Sequence, residues 1–213
     1  MINITAQTPN LAWVQCMKHL LLEAKETDND KYYRDELFVI EILAPCIEEV
    51  PTEFPMAQAE IDIINRYIIT GENESAVSHE WTKLYYRRIY AQPNSQYEYF
   101  LDKLGQKNQS GRAQISLWDK MRDQTAEITP CTQIIWGRIK FARLEMHVHA
   151  HSVDAYKKLL MNQQEFISLQ MEIARKLNVG IGKFYHLIDS CHIYNSDVDK
   201  ILELNLFDSV GNK

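Results

Sequence analysis

The segment Arg143 to His151 (RLEMHVHAH) restricts the fold more than any other part of this 213-residue chain. It alternates strictly, and successive side chains of a strand point to opposite faces of a sheet. Met146, Val148 and Ala150 therefore share one face, suited to packing on helices, while Glu145, His147, His149 and His151 share the other. A strand with this pattern in the middle of a sheet needs a hydrophobic layer on one side and water, a ligand or another subunit on the other. Three histidines along one strand also raise the question of a metal. At the usual rise the three would spread over about 13 Å, too far for one ion without a bend, although Glu145 would add an oxygen ligand on the same face. No metal is expected, and the polar face reads as a cleft lining or a subunit interface.

The rest of the chain supplies partners for that strand. Ile134 to Trp136 reads as the other arm of a meander turning around Gly137, and Arg112 to Trp118, Phe184 to Ile188 and Glu36 to Leu43 read as further strands. Apolar spacing predicts helices over 11–25, with Thr8 or Asn10 as cap, over 57–70, ended by Gly71, and over 97–104. A polar loop follows at 105–111. A long amphipathic helix is expected over 155–177 and a short one over 198–204. Strands grouped with intervening helices give an α+β fold with one main mixed sheet flanked by helices. A chain of this length builds one well-buried core, so a single domain over 1–213 is expected, with a variable half (1–95) and a motif-bearing half (96–213).

Composition narrows the function. A net charge of −6 argues against a nucleic-acid polymer as the partner, because such binders carry a basic surplus that displaces counterions. A small phosphorylated ligand needs only a few local cations and stays open. No apolar run is long enough to cross a bilayer, and MINITAQTPN lacks the features of a secretory signal, so a cytoplasmic location with no membrane contact is expected. Cys16, Cys46, Cys131 and Cys191 are scattered, with no CxxC pair, and read as reduced thiols.

Cys131 lies in Pro130-Cys131-Thr132, just before a strand. Alone it reads more readily as a buried structural thiol than as a nucleophile. The segments around it change that reading. In order along the chain stand Gly111-Arg112 leading to Trp118, then Pro130-Cys131, His151-Ser152-Val153-Asp154, Asn162, and finally His192-Ile193-Tyr194. This series and its spacings resemble the thymidylate synthase family, in its short archaeal-type form, and the Ala57 to Tyr90 region matches more faintly.

The resemblance implies a homodimer packed through the polar sheet face. It also implies a transferase that moves a one-carbon unit from methylenetetrahydrofolate to carbon 5 of a pyrimidine nucleotide, dUMP-like, by methylation or hydroxymethylation. Cys131 would add covalently to carbon 6, which splits one hard step into easier ones. Asn162 would read the base edge, an asparagine favouring uracil. His192 and Tyr194 would hold a sugar hydroxyl, and Asp154 would fix the folate. Ser152, His151 and Arg112 would hold the phosphate, Arg112 reaching in from the partner subunit.

This chain departs from the family pattern at the phosphate. His151 stands where the family has an arginine, and Gly111 replaces the first of two paired arginines. Thr132 replaces the histidine after the nucleophile, and Lys158-Leu159-Leu160 replaces a Gly-x-Pro segment. The early-helix glutamate has only Glu60 and Asp62 as nearby candidates. Arg87 and Arg88 read either as a solvated pair or as substitutes at the phosphate. Trp81, Tyr85, Tyr86 and Tyr90 read as core and cleft wall. Two other functions remain open: a relative acting on a ligand without the usual phosphate, and a non-catalytic nucleotide-binding protein.

Overall fold

The computed structural model describes residues 1–25, 27–28, 30–106 and 111–204. A six-stranded mixed sheet runs through the molecule in the order β1-β2-β6-β5-β4-β3. β1 (Ile2–Ala6) pairs parallel with β2 (Tyr32–Ile42), and α1 (Pro9–Leu22) crosses between them. Thr8 caps α1, its hydroxyl accepting from Leu11 N at 3.4 Å, and Pro9 occupies the first turn, where no N–H is needed. Asn10 lies inside the helix instead, donating through Nδ2 to Glu49 O at 2.8 Å.

At the sheet's centre β2 runs antiparallel to β6 (Gly180–Tyr194), pairing Tyr32 with Tyr194 and Ile42 with Phe184. β6 runs parallel to β5 (Arg143–Asp154), which forms a hairpin with β4 (Thr132–Lys140). β3 (Gln114–Ser116) closes the other edge. The hairpin turns at Phe141 and Ala142, both at positive φ (50° and 57°), not around Gly137 as expected. Paired positive φ values suit the twist of a tight hairpin. Gly137 sits inside β4 for a different reason: a Cβ there would stand 2.7 Å from Phe100 Cζ.

One sheet face, carrying Phe38, Ile40, Met146, Val148, Ala150, Phe184 and Ile188, is fully covered. α6 (Leu159–Lys176) lies on it, with α1 and α2 (Gln58–Thr70) packed outside α6. α6 is therefore enclosed on nearly all sides, with fourteen buried residues that include Asn162, Gln163, Gln164 and Glu165. The amphipathic pattern expected over 155–177 is not what forms. The helix starts later because Asp154 Oδ1 accepts from the N–H groups of Tyr156 and Lys157, both at 3.0 Å, and holds 155–158 as a turn. α2 ends at Gly71, left-handed at φ 69°, as its sequence predicts.

α3 (Glu80–Tyr90) and α4 (Gln96–Gly105) cover the β3–β4 end, and two short helices, α5 (Lys120–Asp123) and α7 (Val198–Leu202), complete the described chain. Residues 107–110 of the predicted polar loop lie outside the described residues. The opposite sheet face carries Val39, Ile134, Trp136, His147, His149, Tyr185 and Leu187, and among the described residues no layer of the single chain covers it. The alternation predicted for β5 holds on both sides.

Candidate active site

The parallel strands β5 and β6 end side by side, a position where sheets of this kind hold ligands. Their register sets Ser152 beside Ser190 and Asp154 beside His192. Tyr194 follows His192 on the same face. α6 begins at these strand ends, with Lys158 at its N-cap and Asn162 one turn in, its N–H donating to Lys158 O at 2.8 Å. The loop before β4 comes in from the other side, tied down by His151 N–H donating to Cys131 O at 3.0 Å. A cavity of about 200 Å³ lies between these elements, bordered by Cys131, Ser152, Asp154, Asn162, His192 and Tyr194. Its remaining wall comes from His79, Trp81, Tyr85 and Lys158.

The thiol has two hydroxyls for company. Ser152 Oγ stands 3.9 Å from Cys131 Sγ and donates to it. Tyr85 Oη accepts from the N–H of Thr132, the next residue, at 3.0 Å. Burial pushes the Cys131 thiol above its ordinary value, while the Ser152 hydroxyl and the Lys158 ammonium pull it back. In the single chain the thiol is thus protonated at neutral pH, and a nucleophilic thiolate needs more positive charge than Lys158 supplies. Lys158 is itself lowered by burial, against the carboxyls of Asp154, Glu60 and Glu165.

Two buried polar atoms at the cavity have no hydrogen-bond partner among the described residues. Asn162 Oδ1 is one and His192 Nε2 the other. His192 stacks on Tyr32, ring centres 4.0 Å apart, and meets Tyr194 edge-on at 4.9 Å. Its Nδ1 lies 3.3 Å from Ser190 O, so Nδ1–H donates there and Nε2 of the neutral ring is left as an acceptor. Burial lowers the affinity of this ring for a second proton. Buried polar groups are paired in folded proteins with few exceptions, and exceptions that border a cavity point to a ligand.

Arg112 and His151 do not border this cavity. The Arg112 carbonyl accepts from Tyr99 Oη at 3.1 Å, and the neighbouring Gly111 carbonyl accepts from Trp136 Nε1 at 2.9 Å. The segment is thereby held at the rim of the uncovered sheet face. His151 Nδ1 lies 2.9 Å from Gln133 Nε2, which also donates to Pro130 O at 2.7 Å. An amide NH₂ only donates, so Nδ1 accepts and the ring is neutral. Burial lowers its pKa in the same sense.

The paired arginines are committed elsewhere. Arg88 makes two bonds of 2.6 Å to Asp123 and a third to Leu117 O. Arg87 pairs with Glu74. Glu60 accepts from Ser78 Oγ at 3.0 Å and Asp62 from Gln58 Nε2 at 2.7 Å, and neither borders the cavity. Of the aromatic cluster, Trp81 and Tyr85 form cavity wall, while Tyr86 and Tyr90 stack on one another at 4.6 Å. Sequence reading gave no role to His79 or Lys158. Lys158 stands four residues before Asn162, one helical turn, and that spacing was a usable signal; His79 offered none.

Comparison with known proteins agrees with this geometry. The pattern of the family described as "Thymidylate synthase" matches residues 53–206. A Methanocaldococcus jannaschii protein described as "Putative thymidylate synthase" is 28% identical over 171 residues, 76% of each chain. A thymidylate synthase of Streptococcus pyogenes is 28% identical over 109 residues, 49% of this chain and 39% of that one. Among solved structures, thermostable thymidylate synthase A from Bacillus subtilis superposes over 91% of this chain and 82% of its own, with a TM-score of 0.69 and 18% identity. The α+β fold is that of thymidylate synthase A, and the chain belongs to the thymidylate synthase family.

Proposed function

We propose that the protein transfers a one-carbon unit to carbon 5 of a pyrimidine nucleotide, uracil favoured, with Cys131 adding to carbon 6. The observation that carries this reading is the cavity itself. Cys131, Ser152, Asp154, Asn162, His192 and Tyr194, expected from scattered motifs, border one space in which Asn162 Oδ1 and His192 Nε2 lack partners. Asn162 Oδ1 accepts from the N3–H of uracil, a hydrogen that N3 of neutral cytosine lacks. His192 Nε2 and the Tyr194 hydroxyl bind a sugar hydroxyl. At about 200 Å³ the cavity is smaller than the ~300–1,000 Å³ of drug-sized sites, so it suits the base and sugar of the nucleotide.

The mouth of the cavity fits methylenetetrahydrofolate. Asp154 Oδ1 is taken by two backbone N–H groups, which leaves Oδ2 for N–H donors of a pterin-like ring, and Trp81 offers an aromatic wall. When bound, that cofactor supplies the one-carbon unit and, for methylation, the hydride. The chain's own part is to present the thiol, orient the base and exclude water.

The uncovered sheet face seats a second copy in an isologous homodimer, the commonest closed arrangement. Arg112, held at its rim, then serves the neighbouring cavity, adding the positive charge that the Cys131 thiol and a phosphate both need. Tritium release from dUMP labelled at carbon 5 tests the reaction, and it should depend on Cys131. Sedimentation at micromolar concentration tests the dimer; a monomer would remove Arg112 from the site.

One observation favours a second reading, a ligand without the usual phosphate: among the described residues Lys158 is the only lysine or arginine bordering the cavity, and His151 is neutral outside it. Equal affinity for deoxyuridine and dUMP would establish that reading in place of the first.

A further inference from the structure

Beneath the cavity lies a carboxyl group with no part in the reading above. Glu165 follows Asn162 by three residues on α6, so the two share a helix face. It is fully buried, and neither oxygen has a hydrogen-bond partner among the described residues. An ionised carboxylate in such a place is strongly disfavoured, and the group takes a proton instead. Burial pushes its pKa up to about 8, against the Thr82 hydroxyl and the Lys158 ammonium.

The groups that face Glu165 lead to the cavity. Tyr85 and Lys158 feel its charge, and both border the cavity. Thr82, on α3 beside Tyr85, is fully buried, and its Oγ1 lies 3.1 Å from His79 Nδ1. His79 borders the cavity as a neutral imidazole, its pKa driven down to about 3 by burial and by Lys158. A neutral ring holds one nitrogen as donor and the other as acceptor, the arrangement that passes a proton without carrying a charge at rest.

We propose that Glu165 is the proton reservoir of the Cys131 cavity, connected to it through the Thr82 hydroxyl and the His79 imidazole. Glu165 gives its carboxyl proton to Thr82 Oγ1, the Thr82 hydrogen passes to His79 Nδ1, and the Nε2 hydrogen of His79 goes to the ligand. The reverse sequence takes a proton from the ligand and restores the neutral acid, so protons balance without a co-reactant. Thr82 is engaged with His79, and it is near enough to Glu165 to lower the carboxyl's pKa, although neither carboxyl oxygen is in hydrogen-bonding geometry with it. A turn of the Glu165 side chain completes the path. Glu165 acts through other groups and is a positioning residue; the assignment rests on the pyrimidine reading above.

The test compares wild type, Glu165→Gln, Glu165→Asp and Thr82→Val across about pH 6 to 9.5, a range that brackets the carboxyl's pKa. For tritium release from carbon 5 of dUMP, Glu165→Gln and Thr82→Val should each lower kcat by about 100-fold with KM changed less than about threefold. Glu165→Asp should recover part of the loss. The wild-type decline above about pH 8 should be missing from the Gln variant. A Gln variant with wild-type rate and pH profile, or one that loses only KM, would overturn the proposal. If the wild type releases no tritium, the pyrimidine reading has failed, and infrared spectra then decide this one. A neutral-carboxyl band that is absent from Glu165→Gln and shifts in Thr82→Val supports the reservoir. No such band, or one indifferent to Thr82→Val, removes it.

Discussion

Two buried polar clusters stand on either side of Tyr85 and have opposite characters. Toward β3, Arg88 and Asp123 are 8% and 5% exposed, and their opposite charges saturate each other through two short bonds and the Leu117 carbonyl, Arg88 Nε being left without a partner among the described residues. Asp123 also accepts from Asp119 N at 2.8 Å, and Arg88 holds its carboxyl below the usual carboxylate range. Toward the sheet's carboxyl ends, Asn162, Glu165 and His192 are as deeply buried but keep unpaired atoms. A saturated buried cluster contributes to the fold, since removing either member strands the other. An unsaturated one lowers stability, and a ligand that completes it recovers the difference. Two arginines in sequence looked like candidates for a phosphate site, yet Arg88 belongs to the saturated side and Arg87 to an exposed pair with Glu74.

Substitutions can break this contrast. The largest effect belongs to Cys131→Ser, which should cut carbon-5 exchange by about 10³-fold or more, the scale of losing a nucleophile. Its melting temperature should stay near that of wild type. Cys191→Ser, at a fully buried thiol, should leave exchange intact. Reversed outcomes would move the nucleophile to Cys191.

Arg88→Ala should come next, destabilising by about 3–5 kcal/mol in urea titrations because Asp123 is left charged and alone. Ligand affinity of the folded fraction should not change. Arg87→Ala, across an exposed pair with Glu74, should barely move the midpoint. If both arginines cost the same, the distinction between them is lost.

Glu165→Gln should go the other way. With a folded pKa near 8, the folded state holds a proton that the unfolded state releases near pH 4.5. Stability is fully present below that lower value and falls as pH rises toward 8. The Gln variant should match wild type at pH 4 and exceed it by about 3 kcal/mol at pH 7. A constant difference across that range would show that Glu165 does not titrate.

The smallest change is expected for Asn162→Ala. It should weaken dUMP binding by about 1–3 kcal/mol, measured by calorimetry. Stability should hold or rise, because Oδ1 has no partner to lose. A marked drop in melting temperature would assign Asn162 to the saturated class.

Much of this was legible in the sequence where one pattern served one purpose. Alternation in β5 told which side chains face the helices, and the ordered motifs named Cys131, Ser152, Asn162, His192 and Tyr194, which border one cavity, together with Arg112 and His151, which do not. The failures occur where tertiary contact overrides local signal. Gly137 looked like a turn, but its missing side chain makes room for Phe100. The actual turn uses an aromatic residue at positive φ, which no composition rule favours. β1 was missed because five residues on a sheet edge carry too little alternation. α6 read as amphipathic because Asn162 to Glu165 are polar, yet all four are buried, Asn162 at the cavity and Gln164 against Asn65 of α2. His79 enters the cavity from a loop, and Lys158 from the end of a helix whose start was misplaced.

The pairing of Tyr32 with Tyr194 has a kinetic consequence. The central ladder joins residues 32–42 to residues 180–194, so during synthesis β2 waits with one edge unpaired until the whole stretch between them has emerged. Contacts between such distant segments form slowly, because loop closure precedes any gain from them. The same late strand delivers His192 and Tyr194. Ligand binding therefore matures last, and a nascent chain that misses this final insertion presents the apolar row Phe38, Ile40 and Ile42 to other chains.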